Sequence, residues 1–148
     1  MLTIVPYEAP MLRPLVDLWR ASFEFGVGIV DPHPIEGQRR HFEQQILPKH
    51  EVSVALRGGQ MVGFVASNAE SISQLYVLVG CHREGIGTLL LRRAMARSAG
   101  SLWLYTFARN AVARRFYERH GFVDVGHGFE NMWQLEDVRY EWKRAAAD

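Results

Sequence analysis

The sequence predicts an α/β (mixed α+β) fold in a single domain, with six to seven strands and about four helices. Short apolar runs typical of strands alternate along the chain with stretches in which apolar residues recur at helical spacing. No linker, repeat or low-complexity segment interrupts the 148 residues, and at 48% hydrophobic residues the chain is able to bury a core. We therefore expect one domain over residues 1–148, with a frayed tail at about 144–148.

The first half of the chain is predicted to form a strand, two helices and a hairpin. An apolar run at residues 2–7 indicates the strand, and apolar residues at helical spacing over 12–23 indicate the first helix. Glycines and prolines from Phe25 to Pro34 predict a loop before a second helix at 35–47. Apolar runs at 52–56 and 61–66, on either side of Gly58 and Gly59, predict the hairpin.

The second half is predicted to alternate between strands and helices. Residues 72–79 indicate a strand, and helical spacing begins at Gly85 and ends at Gly100. Another strand is predicted at 102–107 and another helix at 111–120, closed by Gly121. Two last strands are expected at 122–126 and 138–142.

Composition argues against several classes of function. A net charge of +1 provides no overall field for nucleic acid or an anionic membrane. No apolar run approaches the ~20 residues that span a bilayer, and the first residues do not resemble a signal peptide, so we expect a cytoplasmic protein. The lone Cys81 cannot form an internal disulfide. The six histidines follow no ligand spacing, so we expect no metal.

The segment from His82 to Thr88 lies where a predicted strand gives way to a predicted helix. The first turn of a helix presents unpaired backbone N–H groups, which suit an anion such as a phosphate. Gly85 and Gly87 lack a Cβ and allow close approach, and Arg83 adds positive charge. By itself this pattern equally fits a tight turn that packs the helix against the sheet.

A second motif follows at a fixed distance, from Asn110 to Tyr117, and then Gly121-Phe122. With Leu75-Tyr76-Val77 and the turn from His82 to Gly87, it resembles the GCN5-related N-acetyltransferases, the GNAT family. Their pattern is a Leu-x-Val strand, Gln/Arg-x-x-Gly-x-Gly/Ala, Asn-x-x-Ala-x-x-Phe-Tyr and Gly-Phe. The resemblance implies a GNAT fold, with a central, mostly antiparallel twisted sheet flanked by helices. It also implies transfer of an acetyl group from acetyl-CoA to an amine.

The resemblance also implies roles for individual residues. Backbone groups of Val77, near a bulge in its strand, would hold the thioester and the pantetheine arm, and the amides of residues 83–88 would hold the pyrophosphate. Asn110 would cap its helix and contact the pantetheine, and the Tyr117 hydroxyl would protonate the departing thiolate as general acid. Tyr117 also fits a core aromatic residue. The implied cofactor-binding residues are Tyr76, Val77, Val79, His82, Arg83, Glu84, Gly85, Ile86, Gly87, Thr88, Asn110, Ala113 and Tyr117.

The sequence departs from the family pattern at three positions. His82 stands where Gln or Arg is usual, and Val79 stands where Pro is frequent. Tyr105 occupies the place of a Glu that serves as general base in relatives that acetylate protein N-termini. Glu70 is the first candidate for a replacement base, with Glu24 and His33 as further candidates, although all three also fit solvated surface positions.

The acceptor is expected to be a primary amine of a small molecule. Acidic residues of the C-terminal hairpin, including Glu130 and Asp137, would favour a cationic amine, and they equally fit a solvated face. A peptide or protein amine is the alternative acceptor, and a non-catalytic acetyl-CoA-binding module is the alternative to an enzyme. The resemblance also implies a homodimer.

Overall fold

The structure of the protein, a computed structural model, describes residues 1–146. Its elements confirm the mixed α+β fold that the sequence predicts. The strands are β1 Leu2–Pro6, β2 Glu51–Arg57, β3 Gln60–Ser67, β4 Ile72–Val77, β5 Ser101–Phe107, β6 Val123–Gly128 and β7 Asp137–Lys143. The helices are α1 Leu12–Val27, α2 Ile35–His41, α3 Ile86–Arg97 and α4 Ala111–Arg119. A π-helical turn at Phe42–Ile46 and a 3₁₀ turn at Leu47–Lys49 continue α2.

The strands form two antiparallel sheets that meet at one point. The first sheet has the order β1-β2-β3-β4 and the second has the order β5-β7-β6. Ser71 and Trp103 form an isolated parallel bridge between β4 and β5, supported by a hydrogen bond of 3.1 Å from the Trp103 N–H to the Glu70 carbonyl. Beyond this bridge, β4 and β5 do not pair. A space therefore opens between their carboxyl ends, where ligands bind in many α/β proteins.

Two apolar clusters cover the two faces of the first sheet. Leu90 and Leu91 of α3 belong to one cluster, which also includes Tyr140 of β7. Trp19 of α1 and Phe42 belong to the other cluster. Because β3 is covered on both faces, almost every residue from Val62 to Ser67 is buried. Each fully buried large apolar side chain contributes about 1.5–3 kcal/mol relative to an exposed one.

Helix α1 is longer than the sequence predicts. The loop was expected from Phe25, but the helix continues to Val27 and ends at Gly28, which has a left-handed backbone (φ 78°). Gly26 therefore lies within the helix, where a Cβ would stand 2.6 Å from Nδ2 of Asn110. The glycine interpreted as a helix breaker instead allows α1 to approach the start of α4.

The end of β4 also differs from the prediction. The strand ends at Val77 instead of residue 79, because the Cys81 N–H donates to the Leu78 carbonyl (2.9 Å) and turns the chain. The bulge expected near Val77 lies at the other end of β4, where the pairing with β3 shifts next to Ile72. Val77 itself pairs in regular register with Gly63.

The predicted tail lies partly outside the described residues, which end at 146. Arg144 is anchored, since its backbone N–H donates to the Gly100 carbonyl (2.7 Å) and its guanidinium donates to the Met95 carbonyl (2.8 Å). Over residues 1–146, none of the helices combines the length and the apolar character that crossing a membrane requires.

Candidate active site

A cleft of about 1380 Å³ lies between the diverging strands β4 and β5. Its walls come from α1, β4, the first turn of α3, β5, α4 and the segment between β6 and β7. All of the cofactor-binding residues expected from the sequence line this cleft, except Val79 and Glu84. Segments that are far apart in the sequence therefore converge on one site.

The first turn of α3 forms one end of the cleft. Gly85 occupies the N-cap position with a left-handed backbone (φ 83°), and no side chain caps the helix. The amides of Ile86, Gly87 and Thr88 therefore lack the partner that an N-cap side chain supplies. Arg83, also left-handed (φ 67°), lies beside them in the cleft. An uncapped helix start with an adjacent guanidinium is suited to an anionic group.

Gly87 has a second role that the sequence left open. A Cβ at this position would stand 3.2 Å from Cε1 of Phe116 and 3.6 Å from Cγ2 of Val77. The glycine therefore lets α4 pack closely against the first turn of α3. In the folded chain Gly85 provides the turn and Gly87 provides the close packing.

A histidine connects the same two helices. Nδ1 of His120 lies 2.8 Å from the Phe116 carbonyl, which can only accept, so this nitrogen carries the proton. Nε2 of His120 is then the acceptor for the Thr88 hydroxyl at 3.3 Å. Because the hydroxyl of Thr88 is engaged in this contact, its backbone amide is the group available to an anion.

The carboxyl end of β4 is fixed by a side chain from α1. The hydroxyl of Ser22, a buried residue, donates a hydrogen bond of 2.8 Å to the backbone carbonyl of Val77. This contact fixes α1 against β4 at the point where the cleft opens. The Val77 carbonyl, which was expected to face the cofactor, already has this partner.

Asn110 caps α4, as the sequence predicts. Its Oδ1 accepts a hydrogen bond of 3.1 Å from the Ala113 N–H. The start of α4 thus has the side-chain cap that α3 lacks, which leaves α3 as the better anion site of the two. The amide group of Asn110 also lies against Gly26 of α1 and lines the cleft.

Two tyrosines line the middle of the cleft. Burial raises the pKa of Tyr117 far above its usual range, and the proximity of Tyr76 adds to that shift. Burial also raises the pKa of Tyr76 to about 12, although a hydrogen bond from Trp19 acts in the opposite direction. Both phenols therefore keep their protons at neutral pH and are available as proton donors.

The remaining expected site residues lie nearer the surface. His82 is exposed in the cleft, with its ring centroid 6.0 Å from that of Phe25. Glu84 forms an ion pair with Arg57 in the hairpin of β2 and β3. Glu70, the first candidate base, is exposed in the turn before β4 and does not line the cleft.

The cleft contains arginines that were not expected there from the sequence, namely Arg109, Arg115, Arg119 and Arg139. Arg115 and Arg119 are one turn apart on the same face of α4. Their spacing of four residues places them on one face of a helix, so this basic face could have been found from the sequence. Ser22 had no comparable signal, since its partner is 55 residues away.

Aromatic residues form the other half of the cleft. The ring of Trp133 packs against Phe23 and Phe107, with centroid distances of 4.9 Å and 5.5 Å. Trp133 belongs to the segment between β6 and β7, so these contacts attach that segment to α1 and β5. Phe129 (63% exposed) and Glu130 lie on the open side of the same segment.

In the described part of the chain, residues 1–146, no group of His, Cys, Asp and Glu side chains is arranged to hold a metal.

Comparison with known proteins agrees with this arrangement. The family model described as an acetyltransferase (GNAT) domain matches residues 48–124, which include the turn at α3 and all of α4. The chain belongs to the GNAT family. A Mycobacterium tuberculosis protein named Probable N-acetyltransferase Rv2775 is 29% identical over 140 residues, which cover 84% of this chain and 77% of that protein.

Solved structures show the same GNAT fold. An acetyltransferase of the GNAT family from Staphylococcus aureus Mu50 superimposes with a TM-score of 0.80 at 16% identity, covering 97% of this chain and 99% of the other. The PaiA N-acetyltransferase from Thermoplasma acidophilum, solved in complex with coenzyme A, gives a TM-score of 0.75 at 19% identity, with 97% and 99% coverage. The protein is thus an acetyltransferase with the GNAT fold.

Proposed function

We propose that this acetyltransferase moves the acetyl group of acetyl-CoA directly to a primary amine of a small molecule. The observation that carries the proposal is the uncapped start of α3, which lies in one cleft with the end of β4 and with Tyr117. The pyrophosphate would bind the amides of residues 83–88, and the pantetheine arm would follow β4 past Val77 toward the acceptor half. Arg115 and Arg119 would add positive charge near the anionic end of the cofactor.

In this proposal Tyr117 is the general acid. Breaking the thioester C–S bond leaves a thiolate, and a protonated phenol can supply its proton. The raised pKa of Tyr117 keeps that proton in place until charge develops on sulfur. No covalent acetyl-enzyme is required, because the amine attacks the thioester carbonyl carbon while both substrates are bound.

The loops around the acceptor half support a small acceptor. The segment between α1 and α2 and the segment between β6 and β7 contact each other, since the ring of His33 lies edge-on to that of Trp133 at 5.6 Å. This contact bounds the aromatic half of the cleft on one side and limits the room for an extended peptide. Glu130 at its rim would favour a positively charged acceptor.

Release of free thiol from acetyl-CoA tests the proposal with a panel of alkylamines, amino sugars, amino acids and short peptides. We expect saturable release with at least one small amine. A higher kcat/KM for peptides would favour the peptide acceptor instead. A rise in melting temperature with CoA but no thiol release with any amine would indicate the binding module. The absence of any melting-temperature shift with CoA would contradict the proposal that acetyl-CoA is the donor.

The expected homodimer stays a prediction, to be checked by analytical ultracentrifugation.

A further inference from the structure

Asp31 and His33 face each other in the loop between α1 and α2. The carboxylate of Asp31 lies 2.6 Å from Nδ1 of His33 and also accepts the His33 backbone N–H at 3.0 Å. A carboxylate accepts hydrogen bonds and does not donate them, so Nδ1 carries a proton. In the neutral imidazole, Nε2 is then the basic nitrogen. From the sequence, His33 was one of several candidates for the general base. The contact with Asp31 distinguishes it from the others.

Helix α1 holds this pair in place. The guanidinium of Arg20 donates to the backbone carbonyls of Asp31 (2.8 Å) and His33, and it lies 3.9 Å from the Asp31 carboxylate. Glu24 accepts the Asp31 backbone N–H at 2.7 Å. These contacts fix the backbone of the loop on both sides of the acidic residue. The pair is therefore pre-oriented and does not depend on a mobile surface side chain.

Asp31 is buried (7% exposed), yet its pKa is lowered, which favours the ionised form. Burial acts to raise its pKa, but the two hydrogen bonds from His33, together with the charge of Arg20, outweigh burial and lower the pKa. The carboxylate thus remains the acceptor that orients the Nδ1–H of His33. Arg20 and Glu24 of α1 are the other charged groups that pack around this pair.

The imidazole of His33 contacts Trp133, which lines the acceptor half of the cleft, although His33 itself does not line it. Its ring meets the ring of Trp133 edge-on, with 89° between the two planes, and Trp133 lines the cleft together with Phe23 and Phe107. The side chain of His33 is 34% exposed, so solvent reaches the ring. Water is therefore the route by which a proton would pass between an entering amine and this imidazole.

We propose that His33 accepts, through water, the proton of the acceptor ammonium, and that Asp31 is the positioning residue that orients the imidazole. This inference rests on the proposed function. The ammonium loses one proton through water to Nε2, and the free amine attacks the thioester carbonyl carbon. The C–N bond forms, the C–S bond breaks, and the thiolate takes the Tyr117 proton. The amide nitrogen releases its second proton to restore Tyr117, and His33 returns its own proton to solvent.

The test compares two acceptors in wild type and in His33→Gln. For an alkylamine, which is an ammonium ion at neutral pH, kcat/KM is expected to fall by roughly 10²-fold or more. For a weakly basic aryl amine, which is already neutral, it is expected to stay within a few-fold. Asp31→Asn is expected to cause a smaller loss with the same preference. His41→Gln, an exposed histidine on α2, is the matched control and is expected to have no effect.

A pH series on the alkylamine gives a second readout. The defect of His33→Gln is expected to shrink from about pH 7 to about pH 10, because solvent then supplies the free amine. A loss of the same size for both amines, a loss that is constant with pH, or no loss at all overturns the assignment. An unchanged melting-temperature shift with CoA shows that His33→Gln is folded. A wild-type protein that acetylates no amine contradicts the proposed function instead, so the two failures are distinguishable.

Discussion

The hydroxyl of Ser22 on α1 donates a hydrogen bond of 2.8 Å to the backbone carbonyl of Val77, where β4 ends and the cleft opens. Ser22→Ala removes the donor and leaves the half-buried Val77 carbonyl without this partner, which is expected to cost about 0.5–1.5 kcal/mol in the free energy of unfolding. Urea denaturation measures this loss. Ser101→Ala, at an exposed position on β5, is the control and is expected to change stability by less than about 0.5 kcal/mol. Equal effects of the two substitutions would contradict the structural role of Ser22.

Tyr117→Phe keeps the ring that packs against Phe116 and Phe122 and removes only the hydroxyl. If the phenol protonates the thiolate, kcat is expected to fall by roughly 10²–10⁴-fold, with little change in the KM for acetyl-CoA. Steady-state kinetics with the best amine of the panel measures this change. Tyr105→Phe, which removes another hydroxyl from the cleft, is the control and is expected to retain activity. A Tyr117→Phe variant with wild-type kcat would rule out the acid role.

Gly87→Ala is expected to destabilise the protein by about 1–3 kcal/mol, because the new Cβ forces Phe116 to move. The smaller Phe116→Leu should accommodate that Cβ, so the double variant is expected to lose less stability than the sum of the two single variants. Thermal or urea unfolding of the four proteins gives the coupling energy. Strict additivity would show that Gly87 does not limit the packing of α4 against α3.

The pH dependence of stability tests the contacts around His127, which bridges Asp124 (2.7 Å) and Glu136 (2.9 Å). Hydrogen bonds to Asp124 and then Glu136 raise the pKa of His127. A raised pKa in the folded state stabilises the fold below the unfolded value of about 6.5, and this contribution is lost as the pH rises through the folded pKa. The hydrogen bond from His127 lowers the pKa of Asp124, so that contribution is lost in acid, as the pH falls through the lowered pKa.

The stability difference between wild type and His127→Gln is therefore expected to be larger at about pH 5.5 than at about pH 8.5. Unfolding free energies measured at the two pH values check this expectation. His41→Gln is the control, for which the difference is expected to be the same at both values. A pH-independent difference for His127→Gln would show that its carboxylate contacts are not formed in solution.

Glu70→Gln is expected to leave kcat/KM within about two-fold of wild type at every pH. Neither Glu70 nor His33 lines the cleft itself, but the ring of His33 contacts Trp133, which does, whereas Glu70 is exposed in the turn before β4. Initial rates measured against amine concentration at several pH values give the kcat/KM values that test this expectation. If Glu70→Gln loses activity with alkylamines alone, Glu70 is favoured as the base and the result counts against His33.

Much of the fold was predictable because its signals are local. The alternating hairpin around Gly58-Gly59, the helical spacing of α3 and the N-cap at Asn110 each depend on residues close together in the chain. The prediction was wrong where a glycine had a distant partner. Gly26 was interpreted as a helix breaker, but it lies inside α1. A side chain at this position would collide with Asn110, which explains the glycine. Distant contacts of this kind leave no periodic pattern in the sequence.

The sequence alone determined the family and the general position of the candidate cofactor site. Backbone amides at a glycine-rich helix start and a motif around Tyr117 follow from local composition and spacing. The tertiary structure decided which polar groups are adjacent: Ser22 with Val77, and Asp31 with His33 beside Trp133. Hydrogen bonds and pKa shifts depend on distance and burial, which the order of residues does not specify. The sequence therefore pointed first to Glu70 as the candidate base, whereas the contacts in the folded structure favour His33.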